Sequence, residues 1–205
     1  MERVSESCKV IRLRLALFGG TFDPIHNAHL IVAGEAATKF SLERVLFVPA
    51  AHPPHKAESL GASYEDRFAM VALACQPDPR FEASRLEEGN GKSYSIDTVE
   101  KIQGLAAELY FLIGADAFAE ISTWHRWREL LALTQFIVVT RPGHFNYPCP
   151  PGARVHVLDT LALPVSSSDI RQQLIDGRIP DSLPPAVADY IIGRRLYQCT
   201  NTLAP

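Results

Sequence analysis

Short apolar runs alternate with longer amphipathic stretches along this chain. The runs 13–18 (LRLALF), 44–50 (RVLFVPA), 108–114 (ELYFLIG), 135–140 (QFIVVT) and 154–159 (RVHVLD) read as strands. Most are continuously apolar, the pattern of parallel strands covered on both faces. Between them, 27–40, 64–76, 95–107 and 124–134 read as helices. Strand–helix alternation implies right-handed βαβ units. The expected fold is therefore α/β: a Rossmann-like, doubly wound, mostly parallel sheet with flanking helices. Ligands of such sheets bind beyond the carboxyl ends of the strands.

The end of the chain changes character. SSSDIRQQLIDG (166–177) reads as a helix with serines in front and glycine behind. LPPAVADYIIG (183–193) reads as another, with proline in its first turn and Gly193 closing it. Both belong to a C-terminal helical segment, 166–197, of one domain spanning 13–199. Residues 1–12 read as a charged N-terminal extension, and TNTLAP as a fraying tail. RPGHFNYPCPPGA (141–153) is a Pro/Gly-rich loop.

Bulk properties narrow the choice of function. A chain of 205 residues fits one domain with an ample core. Its net charge of −3 argues against a nucleic-acid partner held by phosphate neutralisation, yet permits a small anionic ligand. Cys8, Cys75, Cys149 and Cys199 form no C-x-x-C pair, which argues against a zinc ribbon or thioredoxin-like motif. The N-terminus lacks an apolar signal region, and no apolar run approaches the roughly 18–20 residues that span a bilayer. A cytoplasmic location without a membrane partner is expected. Oligomeric state is not readable.

The densest chemistry lies in ALFGGTFDPIHNAHL (16–30). Gly19 and Gly20 remove Cβ atoms where a ligand would approach a strand end. Thr21 and Asp23 can cap or contact polar groups. Pro24 ends the loop and a helix starts near Asn27, its N-terminal N–H groups and partial positive charge suiting a phosphate. His26 and His29, three apart, share one face of a helical turn and can donate to phosphoryl oxygens. A second cluster, VSSSDIR (165–171), sets Ser166, Ser167 and Ser168 at a helix N-terminus with Arg171 one turn on. Alone it would read as an ordinary serine cap and a surface arginine.

GGTFDPIHNAH resembles the [T/H]-x-G-H motif of the nucleotidylyltransferase superfamily, with Ala28 where glycine is usual. VSSSDIR resembles that family's I-S-S-T-x-I-R, with Ser168 in place of threonine. Together with VPAAHPPHK (48–56), YSIDTVE (94–100), FLIGADAF (111–118), STWHRWREL (122–130) and VVTRPG (138–143), the resemblance narrows to the bacterial nicotinate mononucleotide adenylyltransferases. It covers nearly all of 14–197. It implies His26, His29 and Arg171 as the catalytic residues, contacting ATP phosphates. It implies Gly19, Gly20, Thr21, Phe22, Gly114, Asp116, Ser166, Ser167 and Ser168 on the ATP side. On the acceptor side it implies Trp124 stacked on a pyridine ring, Tyr94 and Thr98 near its carboxylate, and Lys56 and Arg141 near phosphate. The implied reaction joins ATP to nicotinate mononucleotide, giving nicotinate adenine dinucleotide and pyrophosphate in NAD biosynthesis. Mg²⁺ would arrive on the ATP phosphates, with no metal site of the protein's own.

Several readings stay open at this level. Ile121, Trp124, Leu130 and Leu131 also fit a helix's buried stripe, which would make Trp124 core. The acceptor could instead be nicotinamide mononucleotide or phosphopantetheine. A synthetase-like ligase, or a nucleotide sensor without catalysis, would use the same fold. Three stretches imitate other sites. GNGKS (89–93) lacks the first glycine of a P-loop, Leu86 standing there. The prolines of HPPH (52–55) forbid a helical histidine pair, and no carboxylate or cysteine set completes a zinc site. WHRWR mixes aromatic and basic residues without a wider basic surface.

Overall fold

The computed structural model describes residues 13–52, 61–89, 91–140, 149–161 and 165–197. Residues 1–12, Lys56 and Arg141 lie outside the described residues. Six strands form one sheet: β1 (Arg14–Gly20), β2 (Arg44–Pro49), β3 (Phe81–Ala83), β4 (Glu108–Gly114), β5 (Gln135–Thr140) and β6 (Val155–Asp159). Their order is β3-β2-β1-β4-β5-β6, and every neighbouring pair is parallel. The chain winds outward from β1 through β2 to β3, then returns to β4 and winds the other way. The reversal between β1 and β4 parts the loops that leave those strands, which is where an open parallel sheet forms a ligand crevice.

The continuous apolar runs divide by parity, because successive strand side chains face opposite ways. Ala16, Phe18, Val45, Phe47, Tyr110 and Leu112 form one core with helices α1 (Asn27–Lys39), α2 (Tyr64–Cys75), α6 (Ser167–Ile175) and α7 (Pro185–Arg194). Leu15, Leu17, Leu46, Val48, Phe111 and Ile113 form the other with α3 (Ser95–Ile102), α4 (Ala115–Ala119) and α5 (Trp127–Leu133). Helix α1 presents small residues inward: Ala28, Val32, Ala33, Ala36 and Ala37 are all buried. Among the described residues, no helix is long and apolar enough to cross a membrane.

Three local expectations are corrected. The stretch 95–107 is helical only to Ile102 and tightens into a 3₁₀ turn over Gln103–Leu105, where Gly104 weakens helix propensity. The stretch 124–134 is helical only from Trp127, because Arg126 adopts a left-handed conformation (φ 51°). Ion pairs from Arg126 to Glu100 (2.6 Å) and Glu129 (2.7 Å) fix that turn. Gly193 lies inside α7 and does not close it; Arg195 takes the left-handed position after the helix (φ 54°). Gly177, by contrast, does follow α6 with φ 77°.

Helix α7 is tied to α2 through one buried carboxylate. Asp66 accepts from Ser63 Oγ (2.6 Å), Tyr190 Oη (3.0 Å) and Arg194 Nη2 (3.2 Å). The Ser63 hydrogen bond, with those of Tyr190 and Arg194, lowers its pKa against the opposing effect of burial. Asp66→Ala is expected to cost about 2–3 kcal/mol at pH 7, the scale for hydrogen bonds to a charged group. Urea unfolding measures it. The penalty shrinks only as pH falls below the ordinary aspartate value of about 3.9, toward the lowered folded pKa.

Candidate active site

Strand β1 ends at Gly20, and the chain then turns under itself. Phe22 is left-handed (φ 48°) and buried, and a Cβ on Gly20 would lie 2.8 Å from its ring. Glycine at 20 is thus required by the Phe22 ring. That ring meets His29 edge-on at 5.1 Å, so Phe22 supports a histidine from beneath. Asp23, 2% exposed, holds the loop. Its carboxylate accepts from the N–H groups of Gly61 (2.7 Å) and Ala62 (3.1 Å) and from Tyr197 Oη (2.8 Å). Arg67, fully buried, donates from Nη1 to the Thr21 carbonyl (2.7 Å).

His26 is the N-cap of α1 and His29 its third residue. The rings stack at 3.8 Å with planes 30° apart. The His26 N–H donates to His29 Nδ1 (3.2 Å), which leaves Nε2 of a neutral His29 as the proton-bearing nitrogen. Burial lowers the His26 pKa to about 4. Burial, then the neighbouring His26, holds His29 well below its ordinary range. Both are neutral donors and acceptors at pH 7, and His26 Nδ1 is buried without a partner among the described residues. The helix start is less open than its sequence suggests. The Asn27 N–H donates to the Ser182 carbonyl (2.8 Å) and its side chain to that of Asp181 (3.2 Å). The imidazoles therefore offer the polar groups that this N-terminus largely does not.

The serine–arginine cluster packs directly against the first loop. Ser166 caps α6, its Oγ accepting from the Asp169 N–H (3.1 Å). Ser167 Oγ donates to the Pro24 carbonyl (3.0 Å). Arg171 donates from Nη1 to the Asp23 carbonyl (2.8 Å) and from Nη2 to Ser168 Oγ (3.2 Å). Two segments more than 140 residues apart thus meet two and three residues before His26, at Pro24 and Asp23.

Beside this polar cluster lies a cavity of about 570 Å³ at the carboxyl ends of β1 and β4. Gly19, Gly20, Thr21, Tyr94, Gly114 and Trp124 line it. His26, His29, Arg171, Ser166, Ser167, Ser168, Phe22, Thr98 and Asp116 do not. Phe18 joins the two regions, lining the cavity and meeting His29 edge-on at 5.9 Å. Trp124 follows the 3₁₀ turn Ile121–Thr123 with extended backbone, so it leaves the helical stripe of Leu130 and Leu131. Its half-buried ring meets Phe111 edge-on at 6.1 Å and keeps a surface toward the cavity. Tyr94 stands opposite His125, ring centroids 4.4 Å apart. Thr98 is buried behind the wall, its hydroxyl donating to Glu87 Oε1 (2.9 Å). Asp116 is exposed in the first turn of α4. Sequence reasoning missed Glu87, a cavity-lining carboxyl whose pKa burial raises, and the anchoring roles of Arg67 and Tyr197. No motif or periodicity marks those positions.

Among the described residues, no group of three or more histidine, cysteine, aspartate or glutamate side chains could hold a metal ion.

Comparisons with known proteins agree with this architecture. The profile of the cytidylyltransferase-like family matches residues 17–173. A protein of Solibacter usitatus named "Probable nicotinate-nucleotide adenylyltransferase" is 56% identical over 188 residues, covering 90% of this chain and 100% of that protein. One of the same name from Acidothermus cellulolyticus is 42% identical over 202 residues, covering 93% and 97%. Among solved structures, Plasmodium falciparum nicotinic acid mononucleotide adenylyltransferase complexed with NaAD aligns with a TM-score of 0.75. It is 22% identical and covers 90% of this chain and 97% of that one.

The buried histidines predict a pH dependence of stability. The folded state resists protonating His26 until about pH 4, whereas an unfolded histidine takes up a proton near 6.5. Stability is therefore full above pH 6.5 and declines as pH falls toward 4. Between pH 7 and pH 5 the decline from His26 should be about 2 kcal/mol. His26→Gln should remove that part of the slope in urea unfolding at the two pH values; an unchanged slope contradicts the assignment.

Proposed function

Because the chain belongs to the cytidylyltransferase-like family, we propose that it is a nicotinate-nucleotide adenylyltransferase, transferring the adenylyl group of ATP to nicotinate mononucleotide. The observation that carries this reading is the contact between the histidine loop and the Arg171 helix, set beside an aromatic cavity. Triphosphate and flat ring would need those two environments side by side. The names of the curated relatives supply the acceptor. A cytoplasmic location fits such a reaction.

The proposed chemistry is positioning and charge stabilisation. The mononucleotide phosphate is already anionic at neutral pH, so its attack on the α-phosphorus requires no general base. One P–O bond forms, the bond from the α-phosphorus to the bridging oxygen breaks, and pyrophosphate leaves with that electron pair. His29, with Nε2 carrying its proton, donates to phosphoryl oxygens, and His26 stands against it. Arg171 supplies a fixed cation whose planar donors suit phosphate. Mg²⁺ enters as part of the substrate, on the ATP phosphates. Gly19, Gly20 and Thr21 line the route between the polar cluster and the cavity, where the Trp124 face takes the pyridine ring. Gly114, at the end of β4, and Asp116, in the first turn of α4, lie where the ribose of ATP would reach. Ser166, Ser167 and Ser168 hold the α6 N-terminus and Arg171 in place.

Pyrophosphate release from ATP, measured with nicotinate mononucleotide, nicotinamide mononucleotide and phosphopantetheine in turn, tests the reading. The nicotinate acceptor should give the highest kcat/KM; preference for another acceptor, or no turnover with any, refutes it. His29→Ala should lower kcat by about 10²-fold or more, the scale for losing one preorganised donor. Trp124→Ala should raise the KM of the pyridine substrate more than that of ATP.

A further inference from the structure

Tyr197 lies beyond the part of the chain that the family profile matches, yet its hydroxyl reaches the loop that carries the histidines. Oη donates 2.8 Å to Asp23 Oδ1, and the ring is buried. Asp23 in turn faces Arg171: its carbonyl accepts from Nη1 at 2.8 Å, and its Oδ2 stands 3.8 Å from the same nitrogen. Two further features show that the tyrosine is held in this place. Arg195 and Tyr197 are both left-handed (φ 54° and 61°), a region that residues other than glycine seldom occupy. Such strain persists only where surrounding contacts over-determine it. At Gly61, a Cβ would lie 2.7 Å from two Tyr197 ring carbons and 3.0 Å from Arg171 Cδ. The missing side chain lets the phenol and the arginine pack side by side against Asp23. Burial, then the Asp23 carboxylate, raises the phenol pKa, so the hydroxyl remains a donor at neutral pH.

We propose that Tyr197 is a positioning residue for adenylyl transfer, acting through Asp23 to fix Arg171 against the histidine loop. The inference rests on the reading of the site given above. With the hydroxyl in place, Oδ1 accepts from Tyr197 and the Ala62 N–H, while Oδ2 accepts from the Gly61 N–H and faces Arg171 Nη1 at 3.8 Å. The guanidinium then binds the Asp23 carbonyl and Ser168 instead of closing on the carboxylate. Without the hydroxyl, Oδ1 loses one of its two donors, and the carboxylate is freer to pull on Arg171, already 3.8 Å from Oδ2. A guanidinium drawn fully onto that carboxylate would have its charge compensated there and its donors turned from any phosphate.

A matched residue separates positioning from general support. Tyr190 also donates its hydroxyl to an aspartate, the buried Asp66, at 3.0 Å, but among the described residues it makes no hydrogen bond to either motif. The test compares steady-state kinetics of pyrophosphate release and thermal unfolding for Tyr197→Phe, Tyr190→Phe, Arg171→Ala and the double variant Tyr197→Phe/Arg171→Ala. Tyr197→Phe should lower kcat about tenfold, the worth of a hydrogen bond to a charged group, while Tyr190→Phe lowers the unfolding midpoint and changes kcat less than about twofold. In the Arg171→Ala background Tyr197→Phe should have no further effect. An unchanged kcat in Tyr197→Phe, or the same loss in both backgrounds, overturns the proposal. If Tyr197→Phe does not fold, Gly61→Ala displaces the ring and the arginine together. It must then lower kcat only when Arg171 is present, and failure to do so overturns the proposal as well. Wild-type turnover run in parallel separates the two claims. A wild type inactive with every acceptor removes the adenylyltransferase reading and this inference with it. An active wild type with an indifferent Tyr197 removes the inference alone.

Discussion

A carboxylate at 2% exposure must be satisfied, and meeting that requirement at Asp23 shapes the whole site. Its donors come from the segment at Gly61 and Ala62 and from Tyr197, while Arg171 binds its carbonyl. Arg67, wholly buried, holds the Thr21 carbonyl two residues earlier. These groups come from three separate parts of the chain, 61–67, 171 and 197, and each loses its partner if the loop moves. The sheet delivers strand ends to one edge; the buried charge decides how the chain turns once it leaves β1.

The neutrality of the two imidazoles follows from the same crowding. Rings stacked 3.8 Å apart in a buried setting cannot both carry charge cheaply, and the His26 N–H assigns the tautomer of His29 through Nδ1. They thus stand as preset hydrogen-bond donors, while permanent positive charge comes from Arg171. Two environments result: a polar cluster at the start of α1 and α6, and an aromatic cavity between β1 and β4. They share the end of β1. Phe18 faces both, and Gly19 to Thr21 form the floor between them. Within the aromatic half, the strained turn at Arg126, clamped by Glu100 and Glu129, keeps Trp124 off the helix and at the cavity wall.

Much of this was legible in the sequence. Strands β1, β2, β4, β5 and β6 announce themselves because burial on both faces forces unbroken apolar runs. Strand β3 does not: Phe-Glu-Ala is three residues long at the sheet edge, and its side chains are at most half buried. The histidine motif was readable because its chemistry is local and dense, whereas the serine–arginine motif was readable only through its resemblance to the nucleotidylyltransferase pattern and its pairing with the first. The relation between them was not, since it runs through backbone carbonyls of Asp23 and Pro24, which carry no residue-specific signal. Trp124 was misplaced on a helix because nothing in WHRWR marks Arg126 as left-handed. Thr98 looked like a contact residue, but its hydroxyl is engaged by Glu87, eleven positions earlier and across a turn. Gly20 was assigned to ligand approach, whereas the Phe22 ring already demands it.

The Tyr197–Asp23 bond spans 174 positions, and that distance bears on how the protein is made. Translation delivers the histidine loop early, and the first βαβ units can begin to assemble while the ribosome is still adding residues. The phenol that completes the loop's hydrogen bonding arrives 174 residues later. A nascent chain therefore carries an aspartate short of donors where the finished enzyme has one fully enclosed. The site's geometry is therefore acquired only once residue 197 has joined the fold.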